Sequence, residues 1–242
     1  LEAAELVKLL NNTFRDSVFA IANSFNNIAQ AFDIDGTELI QKSNLDYPRS
    51  NIPSPGFVAG PCLEKDAYIL IDNLKDVESK NFISSMRKMN ENLESSVAHS
   101  VSSLYKKRNC KKPILLSGMA FKGIPATNDL RGSSSNNILE FINAQGIEAH
   151  LHDFENSAEN LHQFYKTFAL EKDDFVLEKL SEYEFILLLN NHPRYKERNC
   201  HEVILNLKKL NPSFFIFDAW DSIGDIADEL DECYKNLGNV FL

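Results

Sequence analysis

The chain has little basic charge, little cysteine and no long apolar run. Among its 242 residues, 25 are Lys or Arg and 35 are Asp or Glu, so the formal net charge is -10. An acidic surface repels a polyanion, so nucleic acid is not an expected partner. No apolar run approaches the roughly 20 residues that a membrane-spanning helix needs, and the first residues lack the features of a signal peptide. We therefore expect a folded cytoplasmic protein with no membrane partner.

The four cysteines stand far apart, with no Cys-x-x-Cys pair: Cys62, Cys110, Cys200 and Cys233. This spacing suits neither a zinc cage nor a disulfide scaffold, so each is interpreted as a single thiol. Histidines occur in two local groupings, at residues 150–153 and at Cys200 with His201. On a predicted strand such a grouping is more typical of one exposed face than of a metal site. We expect no metal centre.

Helical periodicity dominates the first part of the chain. Apolar residues recur at steps of three and four from Ala3 to Phe32, which predicts one long amphipathic helix with a continuous packing stripe. Shorter helices are predicted near Glu38–Lys42 and after Pro61, and a second long helix over residues 77–107. We expect an all-helical domain over residues 1–109.

After a basic connector at residues 106–112, the pattern changes to buried strands that alternate with helices. The predicted strands lie at 113–118, 147–152, 184–189 and 214–218. This alternation predicts an α/β protein in which the helical domain is followed by a Rossmann-like, doubly wound parallel sheet over residues 110–242. The turn from Gly118 to Gly123 lacks the G-x-G-x-x-G spacing that lets backbone approach a dinucleotide pyrophosphate.

One cysteine lies where a thiol can be activated. Cys62 follows a loop rich in glycine and proline and precedes a predicted helix, whose unpaired N–H groups and dipole favour a thiolate. Asp66 follows four residues later on the same helix face, where a carboxylate can orient or deprotonate a water molecule near the sulfur. The alternative is a small buried residue beside an ordinary carboxylate of a first helical turn.

Two polar residues on the first predicted helix have the same spacing. Lys8 and Asn12 are four residues apart and point away from the apolar stripe. An ammonium and a carboxamide held side by side stabilise an oxyanion, and the positive charge favours a nearby thiolate. The alternative is a solvated helix face.

Three segments resemble the UDP-glucose/GDP-mannose dehydrogenase family, in one order along the chain. Residues 4–14 resemble the start of the family's central helix, and residues 55–66 resemble its catalytic-cysteine loop. Residues 115–122 with 128–131 resemble its nucleotide-binding C-terminal domain. The resemblance implies an NAD-dependent nucleotide-sugar 6-dehydrogenase of polysaccharide biosynthesis, which oxidises the C6 alcohol of a UDP-sugar, of the UDP-glucose type, to a carboxylate.

The resemblance also implies roles for individual residues. Cys62 is the implied nucleophile, Lys8 and Asn12 handle the oxyanion and protons, and Asp66 assists the hydrolytic water. The implied contacts to the nucleotide-sugar come from Lys122 and Arg131, whose cationic groups suit a diphosphate; for Arg131 the alternative is an exposed charge. Further substrate-binding candidates are Arg49, Phe57 and Gly60, with His192 and Asp218 as weaker ones.

The chain departs from the family in two respects. Ala59, Gly60 and Pro61 precede the cysteine where the commonest loop has Gly-Gly-His, which leaves the loop shape and the sugar preference open. Family members carry an NAD-binding domain before the central helix, and this sequence begins at that helix, so we expect NAD to bind mainly outside it. The alternative function is a non-catalytic module for nucleotide-sugar binding and dimerisation.

The apolar stripe of the first helix exceeds what one small helical domain can cover. Because family members pair through this region, we expect a homodimer; the alternative is that residues 77–107 cover the stripe within one chain. Uridine is favoured over guanosine, while glucose, mannose and their N-acetylated amino forms all remain open, because a few loop contacts distinguish them.

Overall fold

The computed structural model describes residues 2–242, apart from the side chains of Glu2 and Glu64. Leu1, the first residue of the predicted helical domain, lies outside the described residues. The first part of the chain forms four helices: α1 (Glu2–Gln30), α2 (Gly36–Asn44), α3 (Leu63–Asn73) and α4 (Val77–Lys107). We call them the helical region. Helix α1 packs along both α3 and α4.

Carboxylate caps fix where two of these helices begin. The side chain of Asp35 accepts a hydrogen bond from the N–H of Glu38 at 3.0 Å at the start of α2. Asp76 accepts in the same way from the N–H of Ser79 at 2.7 Å, at the start of α4. Each cap satisfies one of the N–H groups that a helix start leaves without a partner.

Helix α1 buries a polar face and exposes its apolar stripe. Seven stripe residues are 41–73% exposed: Leu6, Leu10, Phe14, Ile21, Phe25, Ile28 and Phe32. The buried face carries Asp16, Asn23 and Asn26 instead. The alternative in which residues 77–107 cover the stripe within one chain is therefore wrong. Local periodicity cannot show that α4 and the chain's end supply partners for the polar face.

The rest of the chain, the sheet region, is built on five parallel strands. These are β1 (Ile114–Ser117), β2 (Ala149–His152), β3 (Phe185–Leu188), β4 (Phe215–Asp218) and β5 (Tyr234–Asn236), in the order β2-β1-β3-β4-β5. The strands are joined through α5 (Ser134–Ala144), α6 (Ala158–Tyr165), α7 (Leu177–Leu180), α8 (Arg198–Leu210) and α9 (Ala227–Leu230). This confirms the predicted α/β class with its parallel sheet. Among the five strands only β5 was not predicted, because three residues carry no recognisable alternation, and the short helices α7 and α9 were not predicted either.

Buried hydrogen bonds join the helical region to the sheet region. The side-chain amides of Asn26 and Gln30 both donate to the carbonyl of Leu237, each at 2.9 Å. The N–H of Gly60 donates to the carbonyl of Gly132 at 2.7 Å. These contacts place the cysteine loop against the carboxyl edge of the sheet, where parallel α/β folds bind ligands. Within residues 2–242, no helix combines the length and the apolar character needed to cross a bilayer.

Candidate active site

A cavity of about 480 Å³ opens between α1, the loop before α3 and the carboxyl edge of the sheet. Its walls contain Lys8, Asn12, Arg15, Phe19, residues 57–63, Phe121, Lys122, Ile124, Asp129, Asn191 and Trp220. The structure thus brings together six of the predicted site residues: Lys8, Asn12, Phe57, Gly60, Cys62 and Lys122. They come from three separate segments, and the fold makes them neighbours.

Cys62 is the accessible thiol of this chain. It occupies the N-cap position of α3, where no side chain caps the helix, and it is exposed. The other three cysteines are buried, and burial raises the pKa of Cys110 and raises that of Cys200 to about 11. A nucleophilic thiol must be reachable and able to ionise. Cys62 meets the first condition, since it is exposed at the start of α3.

Asp66 is not part of the cavity wall. Its side chain is buried, and the Nδ2 group of Asn12 donates to its Oδ2 at 2.6 Å. The bond joins α1 to the first turn of α3, so it fixes the Asn12 amide relative to Cys62. In this conformation the carboxylate orients a neighbouring side chain.

Three cationic side chains and one carboxylate line the cavity. Lys8 and Arg15 are seven residues apart on α1, and Lys122 faces them from the turn after β1. The carboxylate, Asp129, is held by Arg131 through Nε–Oδ1 and Nη2–Oδ2 hydrogen bonds of 2.9 and 2.8 Å. These bonds lower the pKa of Asp129 to about 2. The cavity therefore has an excess of positive charge, which suits a phosphorylated ligand.

Gly60 allows the cysteine loop to approach the sheet region. Its φ of +100° is rarely adopted by a residue with a side chain, and a Cβ atom there would lie 2.8 Å from the ring of Phe121. Phe121 precedes Lys122, whose Nζ lies 5.2 Å from the centre of that ring. A glycine at position 60 is thus required to bring Cys62 and Lys122 into one cavity.

Two predicted substrate contacts lie elsewhere in this structure. Arg131 is largely exposed and lines a neighbouring depression beside α6, on the far side of Asp129. Arg49 is exposed in the loop between α2 and α3, away from the cavity wall. Contact between these two residues and a substrate stays a prediction.

The weaker candidates His192 and Asp218 are both buried outside the cavity wall, next to residues that do line it. His192 Nε2 lies 3.0 Å from Glu155 Oε1. Asp218 accepts N–H groups from Trp220 at 3.1 Å and Ile223 at 2.8 Å. Burial raises its pKa to about 7, against the effect of these bonds.

Sequence reasoning missed several lining residues, of which three come from separate segments: Arg15, Asn191 and Trp220. Arg15 is on the same helical face as Lys8 and Asn12, and this spacing was a usable signal. Asn191 follows β3 and accepts the N–H groups of Gly123 and Ile124 at 2.9 and 3.2 Å, so it shapes the turn beside Lys122.

Trp220, the third of these residues, follows β4 and donates its Nε1–H to the carbonyl of Leu189 at 3.2 Å. Its ring lies so close to Gly56 that a Cβ atom there would be 2.7 Å away. The indole therefore buttresses the start of the cysteine loop. No local pattern reveals this long-range contact.

The histidines of β2 do not form the expected exposed face. His152 is fully buried, with Nδ1 2.7 Å from Ser117 Oγ and Nε2 3.3 Å from the Lys172 carbonyl. Burial lowers its pKa to about 4, so the imidazole is neutral at physiological pH. Within residues 2–242, no cluster of His, Cys, Asp or Glu side chains is arranged to hold a metal ion.

The first turn of the sheet region does not fit a dinucleotide. In a nicotinamide-binding fold, backbone N–H groups of this turn approach the pyrophosphate. Here the N–H of Ala120 donates to Asp153 Oδ2 at 2.9 Å, and that of Gly123 to Asn191. A Cβ atom on Gly118 would lie 2.8 Å from Asn190. Protein groups thus occupy the positions that a pyrophosphate would need.

Two family models match the chain. Residues 2–92 match the central domain of the UDP-glucose/GDP-mannose dehydrogenase family, and residues 115–224 match the UDP binding domain of the same family. The two matches follow the order of the helical and sheet regions.

Curated relatives and solved structures agree with these matches. A UDP-N-acetyl-D-mannosamine dehydrogenase of Pyrococcus horikoshii is 31% identical over 229 residues, which cover 88% of this chain and 50% of that protein. One of Methanococcus maripaludis is 31% identical over 195 residues, covering 80% of this chain and 42% of that protein. The chain therefore spans about half the length of these relatives.

The structure of a UDP-D-ManNAc dehydrogenase from Pyrococcus horikoshii superposes with a TM-score of 0.74 at 26% identity, over 99% of this chain and 53% of that one. A UDP-glucose dehydrogenase from Pyrobaculum islandicum shares the fold, with a TM-score of 0.70 at 19% identity, over 98% of this chain and 51% of that one. The chain belongs to the UDP-glucose/GDP-mannose dehydrogenase family.

Proposed function

We propose that the whole protein is an NAD-dependent nucleotide-sugar 6-dehydrogenase and that this chain supplies its nucleophile and part of its substrate site. The observation that carries the proposal is the exposed thiol of Cys62 at a helix start, in one cavity with Lys8, Asn12 and Lys122. A thiol, an oxyanion-stabilising pair and a cation for a diphosphate are the groups that this oxidation requires.

The chemistry proceeds through a covalent adduct on Cys62. The C6 alcohol of the sugar loses a hydride and a proton to give an aldehyde, and the Cys62 thiolate adds to its carbonyl carbon to form a thiohemiacetal. Loss of a second hydride gives a thioester, which water hydrolyses to the carboxylate and the free thiol. A thiol suits this sequence because the adduct keeps one hydrogen on carbon for the second oxidation. NAD supplies the hydride acceptor, and we expect it to be bound mainly by residues outside this chain.

Lys8 and Asn12 handle the charge that develops during these steps. The carbonyl oxygen becomes an oxyanion when sulfur or water adds, and the ammonium and carboxamide can donate hydrogen bonds to it. Asp66 keeps the Asn12 amide in place through their 2.6 Å hydrogen bond. We assign Asp66 this positioning role in addition to the assistance to the hydrolytic water that the family resemblance implies.

We propose a UDP-sugar as substrate. We favour an N-acetylated amino sugar over glucose as its sugar. The UDP binding domain match and the cationic cavity support the nucleotide diphosphate. The relatives from Pyrococcus horikoshii and Methanococcus maripaludis are UDP-N-acetyl-D-mannosamine dehydrogenases, which favours that sugar over the UDP-glucose type expected from the sequence.

We also propose that two copies pair through the exposed stripe of α1. Six of its seven large apolar side chains lie along α1 and the seventh, Phe32, follows the end of the helix; all are exposed. An exposed apolar patch of this length is typical of a protein interface. A second copy is the proposed partner because an isologous pair buries the same stripe on both sides.

The test is a spectrophotometric screen of the whole protein with NAD against a panel of UDP- and GDP-sugars. We expect NADH formation with a UDP-sugar and, with Cys62→Ser, no release of uronic acid above background. Undiminished uronate release by the Cys62→Ser variant would contradict the proposal.

The 242-residue chain alone serves as a second test, which addresses the alternative of a binding module. We expect it to bind UDP in a calorimetric titration and to form no NADH. Appreciable NADH formation by this chain alone would show that the NAD site lies within it.

A further inference from the structure

The loop that carries Cys62 is tied at its start by one buried side chain. Asn23, on α1, is fully buried, and its Nδ2 donates to the Gly56 carbonyl at 3.0 Å. Its Oδ1 accepts the Gly56 N–H at 2.9 Å, so both backbone groups of Gly56 bond to one amide. The ring of Trp220 blocks the opposite side of Gly56. The start of the loop therefore has little freedom to move.

The end of the loop lies against a buried ion pair. Arg87, on α4, and Asp16, on α1, are each buried, with Nη1 and Oδ1 2.7 Å apart. The same Nη1 lies 3.5 Å from the carbonyl of Leu63, the residue after Cys62. The Nε of Arg87 is 3.2 Å from Glu91 Oε1. A guanidinium with several fixed donors can contact more than one element at once.

Asn90 connects the two ties. Its Nδ2 donates to the backbone oxygen of Asp16 at 2.9 Å and to the carboxylate Oδ1 at 2.7 Å. Its Oδ1 accepts from Asn23 Nδ2 at 3.0 Å. Asp16, Asn23, Arg87 and Asn90 thus form one continuous buried network, which we call the loop anchor.

We propose that the loop anchor positions Cys62: Asn23 acts through Gly56, and Arg87 acts through Leu63. These are positioning residues, because they form no part of the cavity wall. The inference rests on the proposed role of Cys62 as nucleophile. Burying charged and amide groups is costly unless every partner is present, so the geometry of such a network is sharply defined. The loop anchor thereby fixes the positions of both ends of the loop, at Gly56 and at Leu63.

The reactivity of the thiol measures this positioning without any turnover. Cys62 is the exposed cysteine, so iodoacetamide modification of its peptide, followed by mass spectrometry, reports on its setting at the start of α3, in one cavity with Lys8. Two variants loosen the loop at different ends. Asn23→Ala removes the tie to Gly56, and the double variant Asp16→Asn with Arg87→Met removes the ion pair without leaving one charge buried alone.

We expect both variants to slow alkylation of Cys62 at neutral pH, by roughly tenfold for the double variant. Arg87→Lys is the milder form, because its ammonium can still pair with Asp16 but cannot also reach the Leu63 carbonyl in a fork. It should fold and slow the reaction by a smaller factor. Ile204→Ala is the control, since it opens a cavity in the buried core of the sheet region, far from the loop.

Circular dichroism identifies the variants that are folded at the assay temperature, and only those are compared. Alkylation at the wild-type rate in folded Asn23→Ala and Arg87→Lys would overturn the inference, as would equal slowing in Ile204→Ala. The result is separable from the proposed function. If the whole protein oxidised no nucleotide-sugar while the anchor variants still slowed alkylation, the dehydrogenase proposal would fail and the positioning inference would stand.

Discussion

The helical region and the sheet region are built on opposite packing rules. In the sheet region every residue of β3, Phe185–Leu188, is apolar and fully buried. In the helical region, Asp16 and Asn23 of α1 form buried hydrogen bonds with Arg87 and Asn90 of α4, while most large apolar residues of α1 are exposed. A separate apolar cluster of the helical region is small and holds Ala67, Leu70, Ile71 and Ile83.

The difference concerns how each region is stabilised. The sheet region buries its apolar residues within one chain, as a self-sufficient core does. The C-terminal half of α4 joins that core through Leu93, Val97 and Val101. The N-terminal half of α4 carries Arg87 and Asn90, which form a buried polar network with Asp16 and Asn23. In the proposed function, the helical region holds the reactive groups in place, and its apolar stripe is exposed.

The regions also divide the chemistry. Cys62, Lys8 and Asn12 come from the helical region, and Lys122 comes from the sheet region. The helical region is thus expected to control bond making, and the sheet region to control affinity for the nucleotide.

The largest expected effect comes from Cys62. In the whole protein, Cys62→Ser should lower turnover by at least about 10³-fold, because no comparable adduct forms. UDP affinity measured by calorimetry should be unchanged, since the substitution removes a reacting atom and no cation. Equal losses of turnover and UDP affinity would break the proposed division between the regions.

A smaller effect is expected from the sheet region. Lys122→Ala should weaken UDP binding by about 10- to 100-fold, the usual loss for a charge-assisted hydrogen bond. The matched control is Lys179→Ala, an exposed lysine on α7 outside the cavity wall. Calorimetric titration with UDP compares the two variants, and a similar affinity for both would show that Lys122 does not contact the nucleotide.

A charged residue placed in the apolar stripe tests whether two copies of the chain pair through it. Phe25→Glu should weaken self-association by about tenfold or more, because a carboxylate would be buried without a partner at the interface. Phe164→Glu is the control, since Phe164 is an equally large exposed side chain on α6 of the sheet region. The dimer proposal would be contradicted if the wild-type protein sedimented as a monomer at micromolar concentration. It would also be contradicted if both variants had the same effect on self-association.

A separate expected effect is a pH dependence inside the sheet region. The pKa of Asp218 is raised by burial from 3.8 to about 7, so between these values the folded state binds more protons than the unfolded state. Its contribution to the free energy of unfolding should therefore fall as pH rises from about 4 to 7, by roughly 1 kcal/mol per pH unit at most. Denaturant titrations of wild type and Asp218→Asn isolate this contribution, and parallel pH profiles would rule it out.

Sequence alone predicted most of the elements and part of the site. The long helix over residues 77–107 was predicted, and four strands were predicted as buried apolar runs. Cys62, Lys8, Asn12 and Lys122 were selected by their spacing and by the family resemblance; the structure places them around one cavity, and their roles stay predictions.

What the sequence did not predict depends on contacts between distant residues. The buried face of α1 is determined by Arg87, Asn90 and Leu237, which supply partners to polar groups that a local pattern assigns to solvent. Trp220 reaches the cavity because β4 lies beside β3 in the sheet. Propensity and periodicity describe one segment at a time, so they cannot show either arrangement.

Trapping the covalent intermediate examines the proposed nucleophile most directly. The whole protein is mixed with NAD and the active UDP-sugar, quenched in acid during turnover, and digested for mass spectrometry. We predict that the peptide containing Cys62 carries the mass of the oxidised sugar nucleotide, only when NAD is present, and that Cys62→Ser carries none. Steady turnover to the uronic acid by Cys62→Ser, or an NAD-dependent adduct on a different residue, would contradict the assignment.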